Sequence, residues 1–592
     1  MRRRPPAAEH GIRSIPVTSS EPSNDSTPVF APQLADIPAA GPLGEWISDF
    51  VADVPGEYRL AGGKRRVLPP PQIPHTLQGE DRHAYHRLYW AVRLSEAAAF
   101  GCASAAARLE RDITGWFATD WQDDSAAQWP YTVAERLASL AEVLFWISAA
   151  KVNVSPTLVA LAKQRMRLDA EILFANIEYR LGIHNHILNN ARGLYIASAA
   201  LAGYPQSLEW RELAFTLWDR YFDKLLLSDG AFAEQSSHYH LLLCRTALEY
   251  WIACRKAART LPGTLEQRLR DMFRLANQLL RPDGSLPRFG DNSPDHPIEE
   301  LWGLLAAAHA YGLLDQGPRH NAITPLTLYY CGSSPSIAKP EKMPDLTLYP
   351  DGGFAFLRCR GVELTAHGDP RSQTAAHGDT GRGSFEIWRR GQVLIREAGS
   401  FSGPCAKSRY FRGPRAQNVT VLNGLAPAVA VDDRSHLGDW YGAQGGRWIA
   451  SANKVCFEWD GYGRIRPDIK LWREWYFENA ELFFEERISG SGEVQFESRV
   501  HLGDASWEML AAGDRNPIVF QCQCHDGATV SMTLTTQTPI RKSVKRSRFL
   551  PEYGVYAPGR VLVLSGRVML PISWGISWKF EEAKGTAPET LP

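Results

Sequence analysis

A chain of 592 residues exceeds what one hydrophobic core can hold, so two or three domains are expected. Lysine plus arginine equals aspartate plus glutamate at 65 each, so no net field recruits nucleic acid or a membrane surface, and no apolar run reaches transmembrane length. The nine cysteines are scattered, and the close pair Cys522 and Cys524 lacks the spacing of a zinc knuckle, so reduced thiols are the reading.

Residues 1–42 are rich in Pro, Ala and Ser with few large apolar groups, a composition that predicts a disordered tail. Arg2, Arg3 and Arg4 mimic the basic start of a secretory signal, but no apolar segment follows them. The expected location is cytoplasmic, or periplasmic if the true start lies elsewhere.

Residues 43–325 open with a lead-in to about residue 80 that contains the Pro69 to Pro71 run. Apolar residues then recur at helical spacing over 84–98, 102–117, 131–150, 156–178, 187–202, 208–225, 239–258, 264–280 and 298–313. Antiparallel hairpins of this kind need a shape that buries one face of each helix. An α/α toroid with loops lining a central cleft is such a shape, and a plain helical superhelix is the alternative.

Over residues 326–592 the period drops to two, as in LTLYPDGGFAFLRCR, GSFEIWRRGQVLIREAG and YGVYAPGRVLVLSGRVML. Breaks at Gly, Pro, Asn and Asp bound these runs and predict an antiparallel β-sandwich.

Three stretches could carry chemistry. DGAFAEQSSHYH, residues 229–240, sets Glu234, two hydroxyls, two histidines and Tyr239 at the start of an apolar helix. A buried tyrosine ordinarily just hydrogen-bonds a neighbour, so Tyr239 needs support from elsewhere. HNHILNN, residues 184–190, places Asn185, Asn189 and Arg192 at i, i+4 and i+7. That polar face must be satisfied by an interhelical network or by a bound ligand. HGDTGRGSFEIW at 377–388, followed by RYFRGPRAQNVTVLNG at 409–424, brings His377, Asp379, Arg382, Arg409, Arg412 and Arg415 to the β region. Such arginines form a solvated face or hold carboxylates and sulfates by bidentate contacts.

HNHILNN, SSHYH, RPDGSLPRFGDNSPD, HGDTGRGSFEIW and RYFRGPRAQNVTVLNG, in that order over residues 130–425, resemble successive signatures of the heparinase II/III family of polysaccharide lyases. The resemblance implies an α/α toroid joined to a β-sandwich, and β-elimination of an acidic polysaccharide or oligosaccharide that contains uronic acid. In that reaction the C5 proton leaves and the C4 glycosidic bond breaks.

A proton α to an ionised carboxylate is very weakly acidic, so the carboxylate must be neutralised, and Asn185 and His186 match the family positions for this task. Tyr239 matches the family base, with His186, His377 or an arginine as the cations that would favour its phenolate. His377 and Tyr410 are the candidates for a second proton-transfer group. Glu234, Arg382, Arg412, Arg415, Trp129 and Tyr131 are the candidates for substrate binding, with core packing an equal reading for the two aromatics and orientation of a neighbour the preferred one for Glu234.

Family members with zinc under the cleft use a His, Asp, His set, whereas the matching positions here are Asp379, Glu397 and Gln417. Three oxygen donors suit calcium rather than zinc, or a hydrogen-bonded site without an ion. Other readings are a uronyl C5-epimerase, a non-catalytic carbohydrate-binding protein, and a glycoside hydrolase using Glu234 and Asp291.

Overall fold

The computed structural model describes residues 29–30, 57–67, 76–179, 183–370, 377–403, 405–428, 445–504, 506–511 and 518–582. A short hairpin, β1 (Glu57–Arg59) and β2 (Arg65–Val67), precedes the helices. These are α1 (Glu80–Arg87), α2 (Tyr89–Ala99), α3 (Ala103–Ala118), α4 (Ser125–Gln128), α5 (Pro130–Ala149), α6 (Pro156–Ala175), α7 (Asn185–Ala200), α8 (Ser207–Leu225), α9 (Ser237–Lys256) and α10 (Gly263–Leu279). Three short helices, α11 (Ile298–Leu301), α12 (Leu304–Ala310) and α13 (Pro325–Cys331), complete the region.

Local chemistry sets many of these boundaries. Ser155 and Ser236 cap α6 and α9 with their hydroxyls, Asp124 caps α4 with its carboxylate, and proline opens α5, α6 and α13. The single helix expected over 84–98 is two, because Leu88 adopts φ 63° and breaks the run. The helix expected over 298–313 likewise splits into α11 and α12.

Helices α5, α7 and α9 are buried on nearly every face, whereas α3, α6, α8 and α10 bury one stripe each. The first set therefore forms an inner layer and the second an outer one. Gly193 lets α7 approach α5, since a Cβ there would lie 2.8 Å from the Ala134 Cα. Of the tail expected to be disordered, Val29 and Phe30 are placed, and they are buried in the helical core. Phe30 packs on Tyr195, Tyr329 and Tyr330 because one large aromatic ring suffices to anchor an otherwise polar stretch. The rest of residues 1–42 lies outside the described residues.

The strands are β3 (Leu346–Tyr349), β4 (Phe354–Cys359), β5 (Val362–His367), β6 (Ser384–Arg389), β7 (Gln392–Ile395), β8 (Thr420–Leu422), β9 (Gly446–Ser451), β10 (Lys454–Trp459), β11 (Lys470–Glu478) and β12 (Glu481–Ser489). They continue through β13 (Glu493–Leu502), β14 (Glu508–Ala511), β15 (Ile518–Gln523), β16 (Thr529–Thr536), β17 (Arg541–Glu552), β18 (Val555–Met569) and β19 (Ile572–Glu581).

Eight strands in the order β14-β15-β16-β19-β12-β11-β10-β9 form one antiparallel sheet. Nine form the other, in the order β17-β18-β13-β7-β6-β5-β4-β3 with β8 also paired to β13. Phe385, Trp475, Phe484 and Trp578 fill the space between them. A helix that period two conceals, α14 (Ala406–Arg412), interrupts the β region beside the site described below.

The two regions are clamped together. Leu275, Leu279 and Phe289 share an apolar cluster with Tyr349, Phe354 and Phe356. Asp229 Oδ2 accepts the Asp351 and Gly352 amides at 2.8 Å each, and Arg281 reaches Glu386 at 3.0 Å.

Candidate active site

The rings of Tyr239 and His377 stack with centroids 3.5 Å apart and planes 12° from parallel. Tyr239 stands in the first turn of α9, where the Ser236 hydroxyl accepts its amide at 3.1 Å and donates to the Asp291 carbonyl at 2.7 Å. His377 comes from the β region, and its backbone is knitted to the same place. Its amide donates to the Glu234 carbonyl at 3.1 Å, and its carbonyl accepts the Asp291 amide at 2.8 Å. Gly290 makes this approach feasible: its φ is +71°, and a Cβ there would meet the Gln235 and His377 carbonyl oxygens at 2.4 and 2.6 Å.

Both ring nitrogens of His377 face carboxylates, Nδ1 the closer one of Asp291 and Nε2 that of Glu234 at 3.5 Å, and the shorter contact favours the proton on Nδ1. Nδ1 lies 3.2 Å from Asp291 Oδ2, an acceptor for that proton. Nε2 then presents a lone pair and accepts from Asn185 Nδ2 at 3.2 Å. Glu234 sets the amide orientation of Asn185, because it accepts the Asn185 backbone amide at 2.7 Å and Nδ2 at 2.6 Å. Asp291 is itself held by the Ser400 hydroxyl at 2.7 Å and by that of Ser402.

A second carboxylate, Asp295, sits beside this group. It accepts from Tyr131 at 2.7 Å, from Tyr89 at 3.3 Å and from Arg87. The His186 ring lies on that of Tyr131 with centroids 4.5 Å apart, and its Nδ1 is 3.2 Å from Glu178. His186 is the most open of these groups, with 27 % of its side chain exposed.

These surroundings revise the part expected of Tyr239. Burial pushes its phenol well above the ordinary value, and Asp295 and Asp291 push it further. The cations expected to favour a phenolate do not outweigh burial and the two acids, and the shift favours the protonated phenol.

Other sequence candidates land differently. Arg382 is no substrate contact: it is 2 % exposed, pairs with Asp369 at 3.5 Å and lies over the Trp459 ring inside the sandwich. Arg412 is equally buried, donates to the Gly378 carbonyl at 2.9 Å and braces Asp291 at 3.9 Å. Glu234 is buried, accepts twice from Asn185 and lies 3.5 Å from His377 Nε2, so it orients these two neighbours rather than acting as half of a hydrolase pair.

Arg409 and Arg415 are exposed on and just after α14. Trp129 is half-buried at the start of α5, edge-on to His83. Tyr410 packs edge-on against Phe411, and among the described residues the hydrogen-bonded group around His377 does not include it. Within the polar face of α7, Asn185 serves the site, while Arg192 is spent on Glu135 and Glu249.

Asp379, Glu397 and Gln417 form a buried polar knot, but they do not fit zinc, because the set contains no histidine or cysteine. Calcium fits no better, because it needs six to eight oxygens. Asp379 is spent on the Gly381 and Gly290 amides at 2.7 and 3.1 Å, and Glu397 Oε1 on Ser384 and the Asn418 amide. Only Glu397 Oε2 and Gln417 Oε1 lack a partner. Burial and then Asp379 push the Glu397 carboxyl well up, which favours the neutral acid.

Sequence reading missed Asp295, Arg87, Tyr89, Ser400 and Ser402, and it took Asp291 only as a possible hydrolase acid. The available signal was GDNSPD, where two acids stand in a turn without the apolar periodicity of the surrounding helices.

Family models for the heparinase II/III N-terminus and for the heparinase II/III-like C-terminal region match residues 102–301 and 341–586. A search of curated proteins found no match. Among solved structures, heparinase III is 15% identical with a TM-score of 0.66, over 88% of this chain and 81% of that one. A mutant of heparan sulfate lyase HepC from Pedobacter heparinus is 16% identical with a TM-score of 0.58, over 95% and 86%. These likenesses share the fold, and the two matched models together establish that the chain belongs to the heparinase II/III-like family of polysaccharide lyases.

Proposed function

We propose that the protein cleaves a uronic-acid-containing polysaccharide by β-elimination and releases an unsaturated uronyl product. The observation that carries this reading is the stacked Tyr239–His377 pair set between Asn185 and Asp291. Abstraction of a proton α to a carboxylate creates an intermediate with two negative charges, so a donor must reach that carboxylate. Asn185 Nδ2 is that donor, with the partly open His186 beside it.

When Asn185 turns to the uronate, it releases the lone pair on His377 Nε2. That nitrogen takes the C5 proton while Asp291 holds the developing imidazolium. The C4–O4 bond breaks with its electron pair going to oxygen, a double bond forms between C4 and C5, and O4 takes the phenol proton of Tyr239. The imidazolium then returns a proton to the phenolate through solvent.

Ultraviolet absorbance tests the reaction, because elimination creates a conjugated double bond that hydrolysis cannot. Incubation with a panel of polyuronates and uronate-containing glycans should show it rise with at least one. Tyr239→Phe should abolish that rise and leave substrate binding intact; retention of a tenth of the rate would remove Tyr239 from the chemistry. The pH profile separates the two roles open to Tyr239. A tyrosine base with a raised pKa would make the rate climb about tenfold per pH unit above neutrality, whereas a tyrosine acid leaves it flat.

A further inference from the structure

Five cations fall within eight residues of β17: Arg541, Lys542, Lys545, Arg546 and Arg548. Four are exposed and Lys542 is half-buried. Among the described residues none of the five has an acidic partner. In a chain with equal numbers of acids and bases, this is a deliberate local concentration of charge.

Protection of a sheet edge does not account for it. β17 is an edge strand, and charged side chains do discourage edge-to-edge pairing. Yet the other edges manage with far less: β3 carries no charge, β14 carries Glu508, and β9 carries Arg447, which is paired with Glu458. Strand alternation places Arg541 and Lys545 on one face and Lys542, Arg546 and Arg548 on the other, so both faces are cationic. Arg546 also stands directly opposite Arg560 on β18. Like charges so placed are destabilising, and Arg560 spends a donor on the Trp507 carbonyl at 2.8 Å while Arg546 has no acidic partner among the described residues.

The ribbon starts at the active site. Arg288 donates to the Leu550 and Pro551 carbonyls at 2.9 and 3.0 Å, and Asn292 donates to Leu550 at 3.3 Å. Arg288 and Asn292 flank Asp291, the partner of His377. A cavity of about 290 Å³ lies between this loop and the ribbon tip, lined in part by Arg288 and Tyr553 but also by Asp283, Glu299 and Glu552, so the cationic stretch proper begins beyond it at Arg548. At the tip, Lys64 lies 5.4 Å from the Tyr553 ring and Lys407 lies 4.5 Å from that of Tyr556, with Glu552 at the end of β17 close enough to act on Lys64. From Arg548 to Arg541 the strand then runs outward for roughly 23 Å at about 3.3 Å per residue.

We propose that the β17–β18 ribbon is a second binding site for the acidic polysaccharide, which grips carboxylates or sulfates of the chain outside the catalytic cleft. Arginine forks hold either group by paired hydrogen bonds, and the lysines add point charges. The site supplies affinity for long chains and takes no part in the chemistry. This inference rests on the proposed lyase reading only in naming the polymer as the occupant.

The test is the triple variant K545Q/R546Q/R548Q of the full chain. Its KM for the polymer that the enzyme cleaves should rise about tenfold, and that KM should lose most of its dependence on salt. The kcat and KM for a short oligosaccharide of the same repeat should not change. Retention on a column of immobilised acidic polysaccharide is read in parallel and should fall to markedly lower salt. An unchanged polymer KM and unchanged retention overturn the proposal, as does a loss of retention confined to a column of double-stranded DNA. Should no polymer yield an unsaturated product, the lyase reading falls, and the polysaccharide column still decides the ribbon by itself.

Discussion

Replacing Asp291 with asparagine isolates the tautomer argument from the rest of the site. Asp291 is 1 % exposed and accepts from His377 Nδ1, Ser400 and Ser402. The amide has the same shape, and both serine hydroxyls can rotate to meet it. Their contribution to folding is therefore largely kept, and the cost is about 1–2 kcal/mol, part of it from the lost counter-charge 3.9 Å from Arg412.

The effect on turnover is far larger. An amide nitrogen facing the ring donates to Nδ1, moves the imidazole proton to Nε2 and removes the lone pair that takes the C5 proton. In a histidine–carboxylate pair of another fold the same exchange lowers kcat by about 10⁴, which corresponds to roughly 5 kcal/mol of barrier. We expect kcat to fall by about 10³ to 10⁴ in the ultraviolet assay while KM changes less than threefold. NMR of the imidazole nitrogens should show the proton on Nε2. A kcat within tenfold of the parent enzyme, with the proton still on Nδ1, would refute the reasoning.

Gly290→Ala should destabilise the fold by at least about 3 kcal/mol and suppress activity in whatever folds, since the left-handed backbone alone costs about 1–2 kcal/mol and two carbonyls crowd the new methyl group; thermal melting reads the first effect. Glu363 sets part of the acid stability. Burial alone would raise its pKa, but Arg358, Arg319 and Arg281 bring it from 4.5 to about 2. A depressed carboxyl stabilises the fold above pH 4.5 and loses that contribution as pH falls toward 2, here roughly 3 kcal/mol, so Glu363→Gln should flatten the acid limb of stability against pH; an unchanged slope in denaturant titrations counts against the assignment. Glu397→Gln replaces a neutral acid by a neutral amide and should shift stability by less than about 1 kcal/mol, with melting of the parent enzyme insensitive to a chelator. A large chelator-induced drop in Tm would show that an ion holds the knot after all.

Helix and strand periodicity made the two-part architecture readable, most clearly in the outer helices that bury one stripe and in strands such as β12 and β16 that alternate. The places where that reading slipped are places where one residue overrides a pattern. Leu88 breaks a helix through its own φ, Phe30 anchors a polar tail through one ring, and α14 hides in a stretch of strand-like spacing. The site was legible in part. Tyr239 and Asn185 stood out as polar groups beside apolar runs, His377 as part of a polar cluster in the β region, and the structure does bring the three together. What sequence could not show is direction. Arg382 and Arg412 look the same on paper as Arg415, yet the first two point into the protein and meet acids. The raised phenol of Tyr239 comes first from burial and then from Asp295 and Asp291, which fold back from a loop more than fifty residues away.

The site also explains why the two regions are held so firmly. Tyr239, Asn185 and Asp291 belong to the helical region, the last in the loop between α10 and α11, and His377 and Ser400 to the β region. The proton-transfer pair is therefore an interdomain contact, and a ring separation of 3.5 Å survives only if the domains cannot slide. The clamps that prevent sliding lie away from the chemistry: Asp229 on the Asp351–Gly352 turn, Arg281 on Glu386, and Arg319 on Glu363 at 2.7 Å. Precise placement of a reacting pair is worth several kcal/mol of barrier, so a shift of about 1 Å is costly. The interface clamps consequently act on kcat through alignment. Weakening one of them should reduce turnover before it reduces folding, a sign that the domain junction is part of the catalytic apparatus rather than a linker between two finished modules.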